Sequence, residues 1–162
     1  MLELIAISEV NDALAEMVAF FRVELRSYKG IVSKPYVDAG REEMEEYLAA
    51  GFPVFAGLVD GQYAGYVVCR VDNEVVWVES IFVKEEYRRH GVASALHSKA
   101  EEIAASYGEE TVYNYVHPNN HRMIEFLRKR GYTVLNLIEI RKPYKGENLT
   151  QAITVGNHEF DY

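Results

Sequence analysis

Cationic and small residues stand together at the junction between an apolar run and a predicted helix, in the segment ESIFVKEEYRRHGVASALH. The first N–H groups of a helix lack intrahelical partners and lie at the positive end of its dipole, so such a junction binds anions. Small residues leave the main chain uncovered there, while arginines and a hydroxyl can add bonds to phosphate oxygens. The residues whose types suit a diphosphate site here are Arg88, Arg89, Gly91, Ala93 and Ser94, in a junction that also contains His90 and Val92.

The same residues have a plainer interpretation, because arginines before a helix are often solvated and a glycine there can simply relieve a turn. Two better-known phosphate motifs are excluded by the spacing. The lysine followed by Ser or Thr of a Walker P-loop is missing, and so is the GxGxxG dinucleotide fingerprint. Neither an NTPase nor a Rossmann enzyme is supported.

Length, composition and charge limit the class of protein that carries this junction. The 162 residues, 49% hydrophobic and 26% charged, are in the range of one globular domain with its own core. No run of about twenty apolar residues and no basic segment before an apolar run occurs, so we expect a soluble, cytoplasmic protein without a membrane partner. The net charge of −8 disfavours nucleic acid as a partner. The single cysteine, Cys69, lies in an apolar run and is expected in the core.

The predicted elements place the junction after a meander of strands. Turn signals at 60–61 and 72–73 separate three strand-like runs between Phe52 and Val83, which predicts antiparallel pairing. A strand and two helices precede this meander. After it, the pattern predicts a helix, a strand, a helix and a strand in GVASALHSKAEEIAASYG, TVYNYV, NNHRMIEFLRKRG and YTVLNLIEIRK, and then a hairpin or bent strand in ITVGNHEFDY.

The junction resembles the acetyl-CoA signature of the GNAT acetyltransferases, which is Gln or Arg, two residues, Gly, one residue, and Gly or Ala. Arg88, Gly91 and Ala93 fill these positions, after a strand that ends in valine and before a helix. A second segment, HPNNHRMIEFLRKRGY, resembles the part of the family in which an Asn opens the helix after strand five and Gly plus an aromatic residue closes it. Together the two motifs span Trp77 to Lys142, and the order of elements before them also resembles the family.

The resemblance implies an α/β (α+β) fold of three layers, present as a single N-acetyltransferase domain over residues 1–162. Its twisted, mainly antiparallel sheet of six to seven strands would be splayed between strands four and five, with helices on both faces. Acetyl-CoA would be the cosubstrate in the splay, with its pyrophosphate on residues 88–94. The cofactor's pantetheine arm would pair as an added strand with the main chain of Ile81, Phe82 and Val83. Asn120 would contact the cofactor, and it also has the ordinary interpretation of a helix cap.

The resemblance also implies acetyl transfer to a primary amine, which needs a base for the amine and an acid for the thiolate. Glu79 is the candidate base because it interrupts the apolar strand VVWVESIFV. Its alternative is a solvent-facing position or a pair with a neighbouring arginine. Many family members carry a Tyr as the acid seven residues after the motif Asn, where this chain has Leu127. Tyr115 or Tyr113 is then the candidate acid, with packing in the strand, or protonation by solvent, as the alternative.

The implied reaction is direct transfer in a ternary complex, without a covalent enzyme intermediate. The amine would belong to a small molecule or a peptide, and the sequence does not choose between them. A non-catalytic acyl-CoA sensor is the alternative, favoured by the missing Tyr. We expect no metal, because Pro118 separates His117 from His121 and no further ligands accompany them. The exposed-edge character of ITVGNHEFDY suggests a homodimer as a hypothesis.

Overall fold

The computed structural model describes all residues from 1 to 162, which form four α-helices and seven strands in two compact units, 1–115 and 116–162. No helix combines the length and the apolar character that crossing a membrane requires. The first unit contains β1 (Leu2–Ala6), α1 (Asp12–Tyr28), α2 (Val37–Ala49), β2 (Val54–Val59), β3 (Gln62–Asp72), β4 (Val75–Val83), a 3-10 turn (Glu85–Tyr87), α3 (Val92–Ser106) and β5 (Tyr113–Asn114). The second contains α4 (His121–Lys129), β6 (Ala152–Val155) and β7 (His158–Asp161).

The first unit is built on a five-stranded sheet in the order β1-β2-β3-β4-β5. The first four strands pair antiparallel, as the two predicted turns require, whereas β5 pairs parallel to β4. The predicted class, a mixed and mainly antiparallel fold, is confirmed. The two strands of the second unit form a separate antiparallel sheet, so the seven strands match the expected number but are divided five and two.

Helices cover both faces of the large sheet. Two neighbouring residues of β3 show this, since they point to opposite faces and each meets a different helix. The ring of Tyr66 meets Phe21 of α1 edge to face, with ring centroids 6.5 Å apart. The adjacent Gly65 faces α3, since a Cβ built on it would lie 3.2 Å from Cδ1 of Leu96. The helix α1 is capped by Asn11, whose side chain accepts a hydrogen bond from the N–H of Leu14 at 2.9 Å. The core on the α1 face includes Leu14, Met17, Val18, Met44, Val54, Ala56, Tyr66, Val68 and Phe82.

The predicted strand in YTVLNLIEIRK is wrong, because residues 132–142 have no regular secondary structure. A strand requires hydrogen-bonding partners as well as apolar residues. The apolar residues here also do not alternate, so no single face would be buried. Val134 and Leu135 are adjacent in sequence and are 86% and 70% exposed. The predicted strand TVYNYV is shorter than expected, since only Tyr113 and Asn114 pair.

Candidate active site

The edge of β4 that faces β5 is paired over only two residues. Trp77 and Val78 pair with β5, and β4 continues to Val83 without a partner on that side. The N–H of Lys84 donates to Ala64 of β3 at 2.9 Å. Because successive N–H and C=O groups of a strand point to opposite edges, those of Ile81 and Val83 point away from β3. This part of the strand therefore offers main-chain donors and acceptors to an extended ligand.

The predicted phosphate loop follows directly and ends at the start of α3. Gly91 is the N-cap of the helix and has a φ of +81°, a left-handed conformation that favours glycine. Ala95 donates the first helical hydrogen bond, to Gly91 at 3.0 Å, so the N–H groups of residues 92–94 have no partner within the protein. A Cβ built on Gly91 meets nothing within 4 Å. The helix start is thus open to an anion.

The cationic residues of this loop occupy different environments. The Nε of Arg88 donates to the main-chain oxygen of Val83 at 2.8 Å, and its guanidinium pairs with Glu24 of α1. Arg89, by contrast, is exposed and has a φ of +68°, which is uncommon for a residue other than glycine. His90 and Ser94 are exposed as well, whereas Val92, the first residue of α3, is buried. The loop therefore presents Arg89, and not Arg88, as its solvent-facing guanidinium.

The candidate base Glu79 lies in a β-bulge of β4. Val68 is opposite Ser80 and Cys69 is opposite Val78, so Glu79 is the extra residue between them. Its Oε2 accepts a hydrogen bond from the Nε of Arg70 at 3.1 Å, and its side chain is 30% exposed. The pairing with a neighbouring arginine, one of the two alternatives, is therefore present. Whether Glu79 also acts as a base stays a prediction.

The arginine beside Glu79 was not identified from the sequence. The guanidinium carbon of Arg70 lies 4.3 Å from the ring centroid of Trp77, and the ring of Tyr113 lies 5.6 Å beyond that ring. Arg70 is directly opposite Trp77 in the register between β3 and β4. The predicted turn at 72–73 would have paired Arg70 with Val75. The turn lies one residue later, at 73–74, and a bulge follows it, so the turns alone did not predict this neighbour. The structure thus joins Glu79, Arg70, Trp77 and Tyr113 in one cluster.

The two tyrosines considered as acids differ in environment. Tyr113 packs against Trp77, as the plainer interpretation expected, whereas Tyr115 is 65% exposed. In the second unit, Asn120 is the N-cap of α4 and accepts a hydrogen bond from the N–H of Met123 at 3.1 Å. Its capping role is therefore present, and its contact with the cofactor stays a prediction. Leu127, which stands where the usual acid would be, is buried and 7% exposed.

Two tyrosines, Tyr66 of β3 and Tyr47 of α2, are hydrogen-bonded to neighbouring side chains. The Tyr66 hydroxyl and Ser80 Oγ lie 2.7 Å apart, and burial raises the pKa of Tyr66 well above its usual value. Tyr47 of α2 donates to Glu43 at 2.7 Å, and burial together with this bond raises the pKa of Tyr47. Both phenols therefore stay neutral at physiological pH. No group of three or more His, Cys, Asp or Glu side chains in residues 1–162 is arranged to hold a metal.

Known proteins resemble this chain in sequence or in fold. A family profile described as the Acetyltransferase (GNAT) family matches residues 17–132. An uncharacterized N-acetyltransferase of Methanocaldococcus jannaschii is 32% identical over 81 residues, which cover 46% of this chain and 36% of that protein. The chain thus matches about a third of the length of that relative.

Two solved structures illustrate the likeness in fold. PaiA N-acetyltransferase from Thermoplasma acidophilum, in complex with coenzyme A, has a TM-score of 0.65 at 17% identity and covers 80% of this chain and 88% of its own. An aminoglycoside N-acetyltransferase in complex with CoA has a TM-score of 0.63 at 22% identity and covers 88% and 95%. The family profile matches well over half of the chain, so the family recognised from the sequence is confirmed: this protein belongs to the GNAT acetyltransferase family.

Proposed function

We propose that this protein is an N-acetyltransferase that moves the acetyl group of acetyl-CoA directly to a primary amine. The observation that carries the proposal is the succession of an open strand edge and an open helix start within one short segment. Ile81 and Val83 point their main-chain groups to the open edge, and the three partnerless N–H groups of α3 follow after one turn. A pantetheine arm fits the first feature and a pyrophosphate fits the second.

The proposed reaction needs no covalent intermediate on the protein. The amine lone pair attacks the thioester carbonyl carbon, so that a C–N bond forms and the carbonyl oxygen becomes an oxyanion. Main-chain N–H groups at the open edge, such as that of Val83, would stabilise this charge. The amine proton passes to Glu79, directly or through water. The C–S bond then breaks, and the departing thiolate takes a proton from Tyr115 or from solvent.

A small-molecule amine is the acceptor class that we favour. Several of the similar structures are described as aminoglycoside acetyltransferases, which supports a small polyamine-like acceptor by analogy alone. The connection between α1 and α2 supplies exposed apolar side chains, with Tyr36 66% and Val32 99% exposed. Loops on a rigid scaffold are common places for substrate selection. The net charge of −8 also favours cationic acceptors over anionic ones.

A non-catalytic acyl-CoA sensor remains the second candidate, because one specific observation favours it. Leu127, a buried aliphatic residue, stands where many relatives carry a phenol. Such a sensor would keep the open edge of β4 and the helix start of α3, and it would lose only turnover. Binding of the cofactor alone therefore does not separate the two candidates.

The test combines calorimetry with a thiol-release assay. Wild-type protein is titrated with acetyl-CoA, then mixed with a panel that contains an aminoglycoside, a linear polyamine and a short peptide. We expect binding, followed by release of free CoA and formation of an acetylated small amine, detected by mass spectrometry. Binding without CoA release on any amine would support the sensor. Absence of binding in a folded sample would remove both candidates.

A further inference from the structure

Arg88 stands at the signature position of the predicted phosphate loop, yet its side chain is used within the protein. Its Nε donates to the main-chain oxygen of Val83 at 2.8 Å, and its guanidinium pairs with Glu24. Its guanidinium carbon also lies 5.7 Å from the ring centroid of Phe82. The side chains of Arg88 and Glu24 are only 20% and 31% exposed. The guanidinium is thus fixed from three sides.

The carbonyl that Arg88 contacts is one of the groups on the open edge of β4. Val83 points away from β3, so its C=O would otherwise be the last acceptor available to an added strand. With Arg88 bound to it, the open edge keeps the N–H and C=O of Ile81 and the N–H of Val83. An arginine suits this role because its planar fork can donate to two acceptors at fixed angles, which a lysine cannot do.

We propose that Arg88, held by Glu24, is a positioning residue that closes the open edge at Val83 and fixes the phosphate loop against α1, and that it does not bind the phosphates itself. Arg89, which is exposed in the same loop, is the guanidinium that meets the phosphates. The proposal rests on the proposed cofactor site and adds a division of labour between the two arginines. It also ties the cofactor edge to α1, the helix that leads into the connection before α2.

The test is a comparison of CoA dissociation constants by calorimetry at low and high salt. The variants are Glu24→Gln, Arg88→Gln, Arg88→Lys and Arg89→Gln, with Glu16→Gln as the matched control. Glu16→Gln is the same chemical change as Glu24→Gln, at an exposed position of the same helix. The double variant Glu24→Gln with Arg88→Gln completes a mutant cycle. Urea unfolding of every variant shows how much CoA affinity was lost through global stability.

We expect Glu24→Gln and Arg88→Gln each to weaken CoA about fivefold, the effect of losing one partly buried charge-assisted contact. The double variant should be no worse than the worse single one, because both act through one contact. Arg88→Lys should not restore binding, since the donors of an ammonium all sit on one nitrogen, whereas Arg88 uses Nε for Val83 and a terminal nitrogen for Glu24. The fold-changes in CoA affinity of the Glu24 and Arg88 variants should change little with salt. The loss of CoA affinity in Arg89→Gln should shrink as salt screens the exposed charge.

Four results would overturn the proposal. Tighter CoA binding by Glu24→Gln would mean that the released Arg88 serves the phosphates, and full rescue by Arg88→Lys would mean that a point charge suffices. Equal affinity of Glu24→Gln and Glu16→Gln would leave the acetyltransferase proposal standing without this positioning pair. If wild-type protein does not bind CoA, the cofactor site and the pair are rejected together.

Discussion

Replacing Gly91 by glutamate should weaken CoA binding by a predictable amount. The new side chain would stand in open space beside the three partnerless N–H groups of α3. At about 6 Å from a pyrophosphate with about two negative charges, and at an effective dielectric constant of about 60, the repulsion is about 2 kcal/mol. This energy corresponds to an increase of about thirtyfold in Kd.

The same substitution also strains the backbone, and two controls separate the two effects. A side chain at a φ of +81° costs about 1 kcal/mol of folding stability, which Gly91→Ala carries without the charge. Gly108, just beyond the other end of α3, has a φ of +83° and equally open surroundings. Gly108→Glu therefore matches the charge and the strain far from the helix start.

Calorimetry with CoA and urea unfolding are the two assays for these variants. We expect all three to lose about 1 kcal/mol of stability, and Gly91→Glu alone to lose most of its CoA affinity. Unchanged affinity in Gly91→Glu would refute the phosphate site at the start of α3. Equal loss in Gly108→Glu would show that general charge, and not local repulsion, governs binding.

Three further predictions test other parts of the structure. If Glu79 is the base, Glu79→Gln should lower the rate of acetyl transfer about a hundredfold or more with CoA affinity unchanged, whereas an unaltered rate would leave Glu79 as only the partner of Arg70. Gly40→Ala should lower the midpoint of urea unfolding, because its Cβ would lie 2.3 Å from the main-chain oxygen of Ala15 and force α1 and α2 apart, at a cost of about 1–3 kcal/mol; an unchanged midpoint would contradict this packing. Burial raises the pKa of Cys69 from 9.0 to about 12, so the native state keeps a proton that the unfolded chain loses, and stability should fall as pH rises through this window by up to about 1.4 kcal/mol per pH unit. Cys69→Ala should remove that part of the slope in unfolding measurements at pH 8 to 11, and an identical slope would show that the thiol is not its source.

Local patterns predicted the elements that position the site. The turn residues at 60–61 and 72–73 predicted the meander, although the second turn lies one residue later, at 73–74, and the glycine at 91 predicted an uncovered main chain at the start of α3. These features depend on backbone conformations that one or two residues impose, so they can be recognised without knowledge of the rest of the chain. The same holds for Asn120, whose cap is a local hydrogen bond.

Side-chain partners across the sheet could not be predicted in the same way. The contact between Arg88 and Glu24 joins residues 64 positions apart, and the bulge that places Glu79 beside Arg70 shifts the register by one residue. The apolar run at 132–142 predicted a strand that the structure does not contain. Apolar residues indicate a tendency to be buried, but they do not show whether a neighbouring strand is available for pairing.

The sequence by itself determined the family, the order of most elements and the open helix start, because each follows from contiguous residues. Only the tertiary structure decided that Arg88 is committed to Val83 and Glu24 while Arg89 faces solvent. The sequence distinguishes the two adjacent arginines only by the signature position that Arg88 fills, and it does not show which guanidinium is bound within the protein. What distinguishes them is the backbone, because Arg89 has a left-handed φ and Arg88 an extended conformation that ends the 3-10 turn.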